Sequence, residues 1–250
     1  ANAGLIDPDL SGPANISGRF GQSGADWTVK IAATGDGKAT AALDGTAVVR
    51  HGLIEAITGH VSLKAEDVRP YSGLVGQQIG GGLDVSVDGT ANLVIGAFTA
   101  SLTGIGRDLR VGQPELDLLL RGSSKVTTTL RRDKDGVLVF DRLDLVTPQM
   151  LADVTGSISR SQSQLKFNLD LPNIGILYPD LSGPVAAEGT ASSSGADWTV
   201  NSTLTGEGGI NATIAGLVAA DVSGANLTIR GSGPLALANR YIAPNLATGM

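Results

Sequence analysis

Apolar and polar residues alternate strictly along much of the chain. Leu83, Val85 and Val87 are interleaved with Asp84, Ser86 and Asp88, and Leu165, Phe167, Leu169 and Leu171 with Gln164, Lys166, Asn168 and Asp170. Trp27, Val29, Ile31 and Ala33 follow the same rule, as do Val61, Leu63 and Ala65 against Ser62, Lys64 and Glu66. A period of two predicts strands with one apolar face and one wet face. Turn signals separate the runs: Gly35-Asp36-Gly37, Gly80-Gly81-Gly82, Asp135-Gly136 and Gly206-Glu207-Gly208-Gly209. The runs recur every ten residues or so, as in a hairpin meander, and about twenty strands at ~4.8 Å would stack into a sheet roughly 95 Å long. Three stretches, 71–79, 114–121 and 235–242, read as short helices of about two turns. The expected fold is all-β.

Composition sharpens that picture. Glycine supplies 35 of 250 residues, twice the usual ~7 % share. Aromatic residues make up only 4 %, so an apolar face must be aliphatic and cannot fill a thick core. Charged residues stand at 17 %, too few for a set of solvent-facing helices. The net charge of −6 disfavours nucleic acid and anionic membrane surfaces as electrostatic partners. There is no cysteine, which excludes disulfides, thiolate catalysis and cysteine metal sites, and which fits an oxidising compartment. No apolar run approaches the ~18 residues of a membrane helix. The sequence opens on Ala-Asn-Ala-Gly, with neither an initiator Met nor a signal peptide, and is expected to be a piece of something longer.

An internal repeat organises the chain. Pro8-Asp9-Leu10-Ser11-Gly12-Pro13 returns as Pro179-Asp180-Leu181-Ser182-Gly183-Pro184, an offset of 179 − 8 = 171. Ser23-Gly24-Ala25-Asp26-Trp27-Thr28-Val29 returns at the same offset as Ser194-Gly195-Ala196-Asp197-Trp198-Thr199-Val200. Between positions 4 and 45 the two copies share 20 of 42 residues without a gap. Further on the match fades, although Arg69 still faces Arg240. The expected division is one complete unit, 1–171, with 172–250 as the start of a second that continues from it.

These blocks carry a family resemblance. The run from Pro179 through Val185-Ala186-Ala187-Glu188-Gly189, followed by Gly195-Ala196-Asp197-Trp198-Thr199-Val200, resembles the repeats of TamB proteins of the AsmA-like group. So do Arg69-Pro70-Tyr71-Ser72-Gly73-Leu74 leading into Leu83-Asp84-Val85-Ser86-Val87-Asp88-Gly89, and Leu116-Asp117-Leu118-Leu119-Leu120-Arg121-Gly122 ahead of Leu143-Asp144-Leu145. The resemblance implies a β-taco, a sheet folded lengthwise into an apolar groove. It further implies an internal periplasmic segment of an inner-membrane-anchored protein, a TamA-like outer-membrane barrel as partner, and a part in outer-membrane biogenesis. There the groove would conduct phospholipid, or shield outer-membrane protein strands, with no cofactor.

The expected lipid-binding groove residues are Trp27, Val29, Ile31, Leu83, Val85, Val87, Leu165, Phe167, Leu169, Trp198 and Val200. The two tryptophans fit equally as core anchors or as groove wall. Catalytic and metal candidates are weak. His51 and His60 lack the partners that a metal or a triad needs. Asp133-Lys134-Asp135-Gly136 begins like a calcium loop, but Val137 stands at the third ligand position and Asp144 at the twelfth, so a hairpin tip is the better account. Gly37-Lys38-Ala39-Thr40 lacks the upstream glycine of a P-loop. Asp26 and Asp197 precede inward tryptophans and read as solvated strand starts. The sequons at Asn15, Asn201, Asn211 and Asn226 are expected to carry nothing. Two other classes compete with a lipid groove. An adhesive β-solenoid, such as an autotransporter passenger, would show coils of ~20–25 residues, and a β-helical lyase would need a convergent charged cluster. Neither feature is found.

Overall fold

The computed structural model describes residues 13–179, 181–195, 197–219 and 224–233. The chain divides into two compact units, Ala1–Gln149 and Met150–Met250. Both are built almost wholly of strands, and the fold is all-β with a few short helices.

The first unit contains β1 (Asn15–Ser23), β2 (Asp26–Gly35), β3 (Ala39–Arg50), β4 (Leu53–Ala65), β5 (Gly80–Asn92), β6 (Ala97–Arg110), β7 (Ser123–Arg132) and β8 (Leu138–Val146). Each strand pairs antiparallel with the next in chain order, an open up-and-down meander. The second unit repeats the plan with β9 (Leu151–Ile158), β10 (Ser163–Leu171), β11 (Val185–Ser193), β12 (Asp197–Gly206), β13 (Ile210–Ala219) and β14 (Ala225–Ser232).

Three expectations are corrected. The described residues hold fourteen strands rather than about twenty, because the strands run to as many as 14 residues and long connections follow β4, β6 and β10. The glycines 80–82 are no turn: they open β5, with a register shift between Gly80 and Gly82 where the strand meets β6. The helices are shorter than expected. A 3-10 turn at Arg69–Tyr71 leads into α1 (Ser72–Val75), which Gly76 ends at a φ of 65°, and α2 spans Pro114–Leu119. The third stretch, 235–242, lies outside the described residues.

The repeat is present as structure. In the first copy Trp27 of β2 faces Gln22 of β1 and Ala47 of β3. In the second, Trp198 of β12 faces Ser193 of β11 and Val218 of β13, each partner 171 residues on. The three-strand register is thus the same in both copies, as expected where a turn of fixed length and an alternating pattern specify it together.

Neither unit has a filled core. Among the described residues no large side chain is fully buried, and the buried apolar set is mostly small: Ala39, Ala47, Ala65, Val68, Leu119, Met150 and Leu171. One knot lies at the rim of the first unit, where Tyr71, Ile79 and Leu83 pack on Ala39, Ala65 and Val68. The Tyr71 hydroxyl donates to the Asp36 carbonyl at 2.8 Å, and the amides of Glu66 and Asp67 donate to the carbonyl of Gly37. Lys38 and Glu66 close the same corner with a 2.6 Å ion pair. This ties the β2–β3 turn to the β4–β5 connection.

Candidate functional site

Residues paired across antiparallel strands point to the same face, so the register assembles the inner face of the first unit row by row. One row runs Ile31, Leu43, Val61, Val87, Leu102, Thr128 and Leu143. A second runs Ala33, Ala41, Leu63, Val85, Gly104, Val126 and Leu145. The opposite face carries Thr28, Lys30, Asp44, His60, Ser62, Asp88 and Ser101. Apolar side chains on the inner face remain open to solvent, Ile57, Val61 and Leu63 each being more than a third exposed.

Between these rows and the tryptophan lies a line of glycine: Val29, Gly45, Gly59, Gly89 and Ala100. A Cβ added at Gly45 would stand 2.7 Å from the Thr58 carbonyl oxygen, and one at Gly59 would stand 2.9 Å from that of Asp44. Backbone crowding on one face is what bending towards that face produces. At Gly45, Gly59 and Gly89 a side chain would meet backbone or a neighbouring methyl at 3.4 Å or less, while the line ends on Val29 and Ala100, which carry side chains.

All six groove candidates of the first unit, Trp27, Val29, Ile31, Leu83, Val85 and Val87, lie on this inner face. In the second unit Leu165, Phe167, Leu169, Trp198 and Val200 share one face in the same way, through the rows Leu165–Ala191–Val200 and Phe167–Gly189–Ser202. The Phe167 ring lies over Gly189, with Cζ 2.7 Å from where a Cβ would be. Both tryptophans are half-buried. The alternation did not pick out the inner residues Leu43, Ile57, Leu102, Val126, Leu130 and Phe140: glycines and alanines interrupt the runs around the first three, threonines separate Val126 from Leu130, and Phe140 ends an unbroken apolar run from 137. Thr128 was missed as well. Its hydroxyl is buried in an apolar row without a hydrogen-bond partner.

The polar candidates do other work. His51 sits in the β3–β4 turn at a φ of 53°, and His60 lies on the outer face 2.9 Å from Asp88. The Asp133 carboxylate accepts from the amides of Asp135 and Val137 at 2.9 Å each, and Gly136 takes a φ of 84°. This is a hairpin tip. Asp26 and Asp197 are the exposed first residues of β2 and β12. No group of three or more His, Asp or Glu able to hold a metal occurs among the described residues. There is also no helix among them long and apolar enough to cross a membrane.

A cleft of about 550 Å³ opens at the rim of the first unit, lined by Asp67, Arg69, Ile79, Asp108, Arg110 and Asp117 among others. Its carboxylates are committed to structure. Hydrogen bonds from Arg69 hold the Asp67 carboxyl below the ordinary aspartate value, Asp117 accepts from the Val111 amide at 2.7 Å, and Asp108 accepts from the Gly122 amide at 3.0 Å.

These features define a class, an open antiparallel sheet that keeps one aliphatic face in solvent contact. No protein-family model matches the chain, and no similar curated protein or solved structure was found.

Proposed function

We propose that the chain is a non-enzymatic segment of a TamB-like periplasmic protein whose inner face carries phospholipid acyl chains, working with a TamA-like outer-membrane barrel. The observation that supports this most is the pair of aliphatic rows running across β2 to β8, left partly open to solvent along β4. Acyl chains on such a face are held by burial of about 0.8 kcal/mol per methylene, a term with no direction. A lipid can therefore slide along a uniform strip without meeting one deep trap. The sequence blocks that resemble TamB repeats support the family and compartment parts of the reading.

Native mass spectrometry of the purified chain should detect co-purified phospholipid. A charge on the strip should expel it, because desolvating an unpaired ion costs several kcal/mol. Val85→Arg and Phe167→Asp should lose the lipid, whereas Ser86→Arg and Lys166→Asp, on the outer faces, should keep it. In a full-length protein the same inward charges should block lipid transport. Folded inward-charge variants that retain lipid as well as the outer-face controls would sink the conduit. Retention of unfolded outer-membrane strands in place of lipid would favour the shielding role.

A further inference from the structure

Two neighbouring hairpin tips of the first unit push aliphatic side chains into solvent. The β5–β6 tip carries Leu93, Val94 and Ile95, which are 49 %, 70 % and 50 % exposed. Among the described residues this is the only run of three large apolar residues in sequence that are all exposed. Beside it, just after the β3–β4 turn, β4 opens with Leu53 and Ile54, 69 % and 48 % exposed. The two tips adjoin because β4 pairs with β5 up to Ala56 and Asn92, and the Leu93 amide donates to the Glu55 carbonyl at 2.8 Å.

Three amides of the larger tip are already satisfied within the protein. Besides the Leu93 amide, those of Val94 and Ile95 both donate to Asn92 Oδ1, at 3.1 and 3.3 Å. At the base of the tip the Arg132 guanidinium donates to the Gly96 carbonyl. Leaving water therefore strands none of these three amides, which lowers the cost of putting the turn at an apolar interface. The charges around the tips are neutralised locally: Arg50 pairs with Glu55 at 3.0 Å, Arg131 with Asp141 at 2.6 Å and Lys134 with Asp135 at 2.8 Å.

We infer that this pair of tips is a membrane-contacting lip, with Leu93, Val94 and Ile95 inserted among the acyl chains of a phospholipid bilayer and Arg132 at headgroup depth. An exposed aliphatic tip whose amides are already bonded suits a soft apolar medium, and a cation directly behind it suits the interface. With three ion pairs around the tips, Arg132 offset by the neighbouring Asp133 in sequence and the chain at −6 overall, attachment is apolar and does not need anionic lipid. The inference stands apart from the conduit, since a lip can dock the sheet on a bilayer whether or not lipid travels along the inner face.

Flotation of the full chain with phosphatidylcholine vesicles tests it. The chain should float with neutral vesicles at low and high salt, and added phosphatidylglycerol should change little. The Val94→Asp/Ile95→Asp variant should lower the bound fraction at least about tenfold, as expected from removing two buried aliphatic side chains. Leu74→Asn/Val75→Asn, which removes exposed apolar surface from α1, should float like the parent. A second readout uses the absence of cysteine: a polarity-sensitive dye on Val94→Cys should shift to the blue on the same vesicles. Four results would each overturn the lip: no flotation, flotation only with anionic lipid and reversed by salt, equal losses in the two double variants, or a dye that stays in water. Loss of co-purified lipid with flotation intact would count against the conduit alone.

Discussion

At the scale of single residues, Thr128 is the odd member of its row. Register places it between Leu102 and Leu143, and its hydroxyl has no partner. A buried, unpaired hydroxyl costs about 1–3 kcal/mol, whereas a methyl in its place costs nothing in hydrogen bonding. Thr128→Val should therefore raise stability by about 1 kcal/mol, read as a higher urea midpoint at unchanged slope. A lower midpoint would mean that the hydroxyl has a partner in solution. The sequence alone names Thr128 only as one threonine in a run of three. Its isolation follows from the strands on either side.

At the scale of the element, the glycine line marks where neighbouring strands leave no room for a side chain. Gly45, Gly59 and Gly89 sit on three strands, far apart in sequence, and the register brings them into one row. A methyl at Gly45 would meet the Thr58 carbonyl at 2.7 Å, and overpacking of this kind costs about 1–3 kcal/mol. Gly45→Ala should destabilise the first unit by that amount in chemical denaturation, while Thr46→Ala, one residue on and outward, should stay within about 0.5 kcal/mol. Equal effects at the two positions would mean that the sheet is not creased there. The alternation made β2, β4, β5 and β10 legible from sequence, and the repeat carried β2 over to β12. It misread the glycines 80–82 as a turn, because a bulge and a turn both call for glycine, and only the neighbouring β6 distinguishes them.

At the scale of the whole chain, the repeat makes its own prediction. Trp27 and Trp198 occupy equivalent positions, half-buried in hairpins of the same register. Trp27→Ala and Trp198→Ala should each cost about 2 kcal/mol, less than the 3–5 of a fully buried ring. Urea denaturation of each variant, followed by far-ultraviolet circular dichroism, measures each loss. A disparity of more than about twofold would break the equivalence. Sequence identity places the repeat boundary after residue 171, whereas the contacts divide the chain at Gln149 and Met150. The two boundaries describe different things, a duplicated stretch of sequence and a cluster of contacts.

What the sequence determined by itself is whatever depends on local pattern and on the repeat. A period of two marks the faces, Asp-Gly and Gly-Asp-Gly mark turns, and an exact offset of 171 marks the repeated hairpins, so the all-β fold and the faces that the eleven groove candidates share within their units were legible. Tertiary structure decided whatever depends on residues brought together across strands. The crease of Gly45, Gly59 and Gly89, the stranded hydroxyl of Thr128 and the adjoining tips at Leu53 and Val94 all belong to this group. In each the two partners lie on different strands, and register, which sequence spacing does not state, sets the distance between them.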